Sequence, residues 1–311
     1  MDRRKFIKKA GTLASLLPLT NNLYSHHPFK TEEPEISVFS KHLQFLDYDQ
    51  MAKAAAQIGF DGVELTVRPN GHVFPDRVTE DLPKAVAAIK SAGFEPSMIV
   101  TAVNDPTNTT DQLVLKTASQ LGVKYYRMGY FRYTKGGEIT DDHRGFKQHI
   151  NGLGEMNDSL GLIGCYQNHA GNYVGASMFE LHQLFNESNS HTTGLQYDIC
   201  HATVEGGKSW ETGLRLVKDK IKTLALKDFR WEKKNGKWDT INTPMGEGMV
   251  DFNRFFFLMK QYGIQVPMSI HYEYPMGGAE HGDREITIKP EQVFEYMHHD
   301  LEYIRKAWRE A

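Results

Sequence analysis

What most constrains this chain is a repeated unit: a helical segment, a glycine, then a short apolar strand with a polar residue at its end. Ala52 to Ile58 leads through Gly59 to a strand at Gly62–Arg68, and Lys84 to Ala92 through Gly93 to Pro96–Val103. Leu113 to Leu121 leads to Val123–Gly129, and Leu153 to Leu160 to Leu162–His169. The strand at Gly194 to His201 follows, then Ile221–Asp228 after a short helix at Trp210 to Val217. Phe252 to Tyr262 leads through Gly263 to Pro267–Glu273. With Ile36–Phe39 first, the count is eight strands alternating with helices. Glycine at helix C-termini and near-continuous apolar strands are the marks of parallel βα units. The length suits a single (β/α)8 barrel, which takes about 250 residues. The rival, a doubly wound open sheet, lacks a glycine-rich phosphate loop after its first strand. The expectation is therefore an α/β chain with one (β/α)8 TIM barrel over residues 31–311.

In such a barrel, functional residues gather at the C-terminal ends of the strands. Those ends read Glu64 and Arg68, Arg127, Gln167 and His169, Asp198 and His201, Lys227 and Asp228, His271 and Glu273. So many ionisable groups on one rim are hard to explain as surface solvation. The densest stretch is Asp198-Ile-Cys-His201, a carboxylate and an imidazole three residues apart at a strand tip followed by a glycine-flanked loop. It reads as a metal or proton-transfer site, or more simply as Asp198 capping a loop with His201 as its partner. Two loops are elaborated. Arg230–Trp238 has an Asn235-Gly236 turn, which signals a β-hairpin inserted after strand seven. Its Trp231 and Trp238 either stack on a sugar ring or pack across the hairpin. Pro69–Pro75 either brings His72 to the mouth or is turn chemistry only.

A net charge of -3 with scattered signs argues against nucleic-acid or membrane-surface binding. Cys165 and Cys200 make neither a disulfide framework nor a metal–thiolate site, and read as small core residues on adjacent strands. The Phe255–Phe257 run reads as helix packing against the barrel. Residues 1–30 stand apart. Arg3-Arg4-Lys5-Phe6-Ile7-Lys8-Lys9 precedes a weakly apolar run, Ala10 to Leu19, in the pattern of a twin-arginine signal peptide. The expected location is periplasmic, with no stable membrane association once that segment is removed.

The carrying motifs Gly59-Phe-Asp-Gly-Val-Glu64, Gln167-Asn-His169, Asp198-Ile-Cys-His201, Lys227-Asp228 and Pro244-Met-Gly-Glu-Gly-Met-Val-Asp251 resemble the xylose isomerase-like sugar isomerases and epimerases. The resemblance extends over residues 36 to 308. It implies a divalent cation held by a Glu on strand five, Asp on strand six, His on strand seven and Glu on strand eight, the two Glu working as acid and base on a keto-sugar. Asp198 matches its ligand position and His201 the substrate-contacting His. Gln167 stands where the first Glu would be, and Ala225 where the His would be. His271 or Glu273 aligns with the last Glu.

The resemblance thus leaves Asp198, His271, Glu273 and Gln167 as a metal set for Mn, Zn or Mg. In the alternative, the site is metal-free and Lys227 supplies the positive charge. The expected activity is isomerase or epimerase chemistry on a free sugar by proton abstraction beside a carbonyl. Glu273 or His201 would be the base, and Lys227 or a metal the stabiliser. Glu64 is either a further base or a structural partner of Arg68 or Arg127. Arg68, His72, Arg127, Gln167, His169 and Trp231 would bind substrate. A lyase on 3-oxo-glycosides and a non-catalytic sugar-binding barrel are the other readings. The particular sugar, and whether the chain is a homo-oligomer, are left open.

Overall fold

The computed structural model describes residues 33–186 and 191–311; the expected signal segment lies outside them. Eight parallel strands close a barrel: β1 (Ile36–Phe39), β2 (Gly62–Val67), β3 (Met98–Thr101), β4 (Tyr125–Arg127), β5 (Ile163–Gln167), β6 (Thr193–Asp198), β7 (Ile221–Leu226) and β10 (Met268–Ile270). Each pairs with its neighbour in chain order, and β10 returns to β1 through Ile36 opposite Met268. The barrel expectation holds, and so does the hairpin: β8 (Asp228–Lys234) and β9 (Lys237–Thr243) form a separate antiparallel ribbon after β7.

The outer layer comprises α1 (Tyr48–Ile58), α2 (Val78–Ser91), α3 (Thr109–Gln120), α4 (Ile139–Leu160), α5 (Met178–Phe185), α6 (Ile199–Gly206), α7 (Trp210–Val217), α8 (Phe252–Tyr262) and α9 (Pro290–Glu310). The glycine punctuation has the expected cause at α1, where Gly59 takes φ 105°, a left-handed cap that a side chain would strain. Helix starts are capped by side chains: Asp47 and Gln50 form a reciprocal box on α1, and Asp251 accepts from Arg254 N–H on α8. On α8, Phe255 and Phe256 are buried while Phe257 faces out. Among the described residues no helix is long and apolar enough to cross a membrane.

Three local readings are corrected. Asp198-Ile-Cys-His201 is not a strand tip running into a loop, because Asp198 ends β6 and its carboxylate accepts the His201 N–H at 3.1 Å, starting α6. Cys200 consequently sits in the first turn of a helix, while Cys165 is on β5; both are buried. The two tryptophans do not pair across the hairpin, because its register sets Trp231 against Thr240 and Trp238 against Lys233.

The Pro244–Asp251 motif is explained by one buried carboxylate. Asp228, directly after Lys227, accepts from the backbone N–H groups of Phe229 (2.8 Å), Gly246 (2.9 Å), Gly248 (3.0 Å) and Val250 (3.1 Å). Gly248 is required there because a Cβ would lie 2.1 Å from the Asp228 Oδ1. These bonds pin the chain leaving the hairpin back onto the end of β7. Asp228→Ala strands all four donors in a largely dry place, so it is expected to lower unfolding free energy by about 3 kcal/mol or more. Urea denaturation checks this; a loss under about 1 kcal/mol would mean that solvent replaces the carboxylate.

Candidate active site

At the C-terminal end of the barrel the centre of charge is Lys227, just past β7 and almost fully buried. Its Nζ donates to His201 Nε2 at 2.7 Å and lies 3.3 Å from Asp198 Oδ2 and 3.4 Å from Glu273 Oε2. Room for it comes from β7, where Ala225 stands opposite Asp198 in the sheet register and fills little of the space above. Burial alone would discharge Lys227, yet Asp198 and Glu273 hold it charged, well above the ordinary lysine range. The reverse holds for the carboxylates. Burial pushes Asp198 and Glu273 up, but Lys227 above all keeps both below their usual values, so both are ionised. Burial and then the Lys227 charge push His201 down to about 3, so its ring is neutral.

Two further tips close around this group. Gln167 donates from Nε2 to Asp198 Oδ2 at 2.8 Å, and its Oε1 accepts from Arg127 at 2.7 Å and from the Tyr130 hydroxyl at 2.9 Å. Asn168 clamps β5 to β6 by bonding both the N–H and the carbonyl of Asp198, at 2.7 and 2.8 Å. His169 lies between Tyr173 and His201, tilted 36° and 35° to them with ring centroids 4.1 and 3.9 Å away. Burial first, then Lys227, lowers its pKa as well.

Glu64 and His271 lie beneath, inside the barrel. Glu64 accepts from Gln196 at 2.6 Å, Ser269 at 2.6 Å and His271 Nε2 at 3.0 Å. Burial opposes its charge, but the His271 and Ser269 bonds hold the carboxyl below its ordinary value, while burial keeps His271 neutral. With every one of these bonds made inside the protein, Glu64 serves as a structural anchor across β2, β6 and β10. His72 is buried behind the tips of β1 and β2, where its Nδ1 lies 3.2 Å from both Thr66 Oγ1 and Ser40 Oγ. Trp231 is 42% exposed on the hairpin, with its ring against Phe229.

The donors, as they stand, do not fit a divalent cation. Among the described residues no three His, Cys, Asp or Glu side chains converge as a ligand set. Gln167 Oε1 is taken by a guanidinium and a hydroxyl, Asp198 Oδ2 by an amide and an ammonium, and His271 Nε2 by Glu64. The Glu273 oxygens face the ammonium groups of Lys227 and Lys41. A dication placed among these groups would meet the Lys227 charge at contact distance.

Sequence reasoning missed the end of β1. Phe39 stacks on His271 with centroids 4.3 Å apart, and three cations approach its ring: Arg68 at 5.5 Å, Lys41 at 5.7 Å and Arg127 at 5.8 Å. Lys41 lies 3.7 Å from Glu273 Oε1. A lysine two residues past a strand end was the available signal. It was hidden because the chain turns at once into a short 3-10 helix, Ser40–Leu43.

The family model described as xylose isomerase-like TIM barrel matches residues 52–294. No curated protein sequence matches the chain. Among solved structures, an apo 3-keto-D-glucoside 4-epimerase from E. coli superposes with a TM-score of 0.65 at 12% identity, covering 88% of this chain and 99% of that one. D-psicose 3-epimerase with D-tagatose from Clostridium cellulolyticum H10 gives 0.68 at 11%, covering 88% and 99%. A xylose isomerase-like TIM barrel protein from Mycobacterium smegmatis in complex with magnesium gives 0.63 at 11%, covering 88% and 97%. At these identities the likeness is one of fold.

Lys41 offers a test of this electrostatic arrangement. Burial lowers its ammonium from 10.5 to about 8, with Glu273 pulling the other way. The cost of burying the charge is fully present below pH 8. Between about pH 8 and 10.5 the unfolded chain binds more protons at this site, so stability rises with pH by up to about 1.4 kcal/mol per unit. Urea unfolding at pH 7 to 10 should show the wild type gaining on Lys41→Met above pH 8. Parallel curves would mean that Lys41 titrates normally.

Proposed function

The chain belongs to the xylose isomerase-like TIM barrel family, and from that premise we propose that it is an isomerase acting on a sugar by proton transfer beside a carbonyl. The observation that carries this reading is Glu273, an ionised carboxylate held between the ammonium groups of Lys41 and Lys227 at the barrel mouth. Its side chain keeps 28% exposure, whereas Asp198 is sealed. Glu273 is the base that takes the proton from the carbon next to the carbonyl.

The cations that weaken Glu273 as a base also stabilise the enolate oxygen, so the penalty and the gain share one source. Lys227 has its hydrogens committed to His201, Asp198 and Glu273 and acts as a fixed charge. Lys41, whose one ion-pair partner among the described residues is Glu273, is the donor that turns toward the oxygen. In this reading Lys227 supplies the positive charge for which a divalent metal was the alternative. Gln167 cannot abstract a proton. A single carboxylate serving two adjacent carbons therefore favours isomerisation over two-base epimerisation. His201, neutral and hydrogen-bonded to Lys227, and His169 form a ring wall for the sugar. The Arg3-Arg4 pattern supports a periplasmic setting and an unphosphorylated, free sugar.

Deuterium incorporation beside the carbonyl of keto-sugars and aldoses, followed by NMR, tests the reading. Glu273→Gln should slow exchange by about 100-fold or more, the usual worth of a positioned base. Chelator treatment should leave the wild-type rate within about two-fold, since no step passes through a metal. Full exchange in Glu273→Gln would remove the base assignment. Loss of exchange on chelation, with recovery in Mn, would remove the role given to Lys227. Sugar binding without exchange would make this a binding barrel.

A further inference from the structure

Positive charge at the mouth exceeds what the protein itself neutralises. Asp198 and Glu273 are paired with Lys227, and Glu273 also with Lys41. Glu64 spends its oxygens on Gln196, Ser269 and His271. Among the described residues this leaves the two guanidiniums beside Phe39 without a carboxylate at hydrogen-bond or ion-pair distance, although Glu64 and Glu273 act on Arg68 from farther away. Arg127 is 7% exposed, its side-chain hydrogen-bond acceptor is the neutral Gln167, and its buried Nε has no partner. Arg68 makes no side-chain hydrogen bond or ion pair among the described residues; its guanidinium rests over the Phe39 ring.

The two charges repel. Burial, and next to it Arg127, bring Arg68 down to about 10. Holding like charges together in a partly dry place is unfavourable unless something negative joins them. Guanidinium forks match the oxygens of a carboxylate or phosphate, and the bond strengthens as water is excluded. A neutral sugar would leave the buried Nε of Arg127 with at best a hydroxyl.

Building on the reading of this mouth as a site for an unphosphorylated sugar, we propose that Arg68 and Arg127 bind a carboxylate carried by the substrate, so that the sugar taken is a sugar acid. The anion docks over the Phe39 edge of the mouth, between the tips of β2 and β4. The sugar chain then extends toward Glu273 on the other side of Lys41. The same cations that orient the substrate add to the field that stabilises its enolate.

Calorimetry on the full chain with D-glucuronate, D-fructose 6-phosphate and neutral D-glucose and D-fructose tests this. Glucuronate should bind at least about ten-fold tighter than D-glucose, with a preference that shrinks in high salt. Preference for glucuronate assigns the carboxylate; preference for the phosphate ester over glucuronate would overturn that assignment. Arg68→Gln, at a side chain with no hydrogen-bond or ion-pair partner to lose among the described residues, should weaken glucuronate binding at least about ten-fold and so abolish its preference over D-glucose. Arg127→Gln should do the same wherever its melting curve shows it folded. Equal affinity for charged and neutral sugars, or a preference that survives Arg68→Gln, would overturn the proposal. Deuterium exchange on the same sugars separates the two readings. Exchange on neutral sugars without charged-sugar preference rejects only the oxyanion site. Charged-sugar preference without exchange rejects only the isomerase.

Discussion

A lysine ammonium buried among two carboxylates and an imidazole is the constraint around which this barrel mouth is arranged. Asp198 is sealed from solvent, and its negative charge is tolerable only because Lys227 stands 3.3 Å away. Breaking such a pair by removing one partner costs about 3–5 kcal/mol, since the other charge stays buried. The three groups around Lys227 come from different segments: Asp198 ends β6, His201 opens α6 and Glu273 follows β10. One cation therefore ties neighbouring parts of the rim at the point where chemistry would occur. Glu273 is the member with access to the mouth, which separates a structural carboxylate from a reactive one within a single cluster.

Lys227 and Asp228 are adjacent in sequence and opposite in task. The lysine turns into the mouth, while the aspartate turns away and collects four backbone N–H groups from the chain that follows the hairpin. A second buried carboxylate, Glu64, braces the barrel interior below. The wall is thus held by polar bonds at two levels, and the reactive rim rests on a rigid base. Pre-organisation of this kind is what allows fixed charges to act on a transition state without reorganising.

Much of the plan was legible in the chain. Parallel βα units announce themselves through glycine stops and strands apolar on both faces, and the barrel with its hairpin followed from counting them. The strand-end rule then picked out Asp198, His201, Lys227, Gln167, Arg127 and Glu273, which do come together. Their partners were not legible. Glu64 looks as reactive as Glu273 in sequence, yet it is locked by bonds from three residues that lie more than a hundred positions away. His72 looks like a mouth residue but is buried behind the β1 and β2 tips, against Ser40 and Thr66. Lys41 lies two residues past β1 but inside a 3-10 turn that hides its place on the rim; only the return of β10 beside β1 brings Glu273 within 3.7 Å.

By itself, the sequence determined the architecture and the rim, because strand and helix periodicities are local and the closed barrel is what such units build. The family resemblance also implied replaced ligand types, Gln167 for a carboxylate and Ala225 for an imidazole. Only the tertiary structure decided what fills the space those changes leave. Whether a lysine reaches a neighbouring strand's carboxylate depends on sheet register and on the small side chain opposite, and whether an arginine lacks a counter-charge depends on every strand around the ring. Charge balance in a buried site is a sum over non-local neighbours, and no spacing along the chain encodes it.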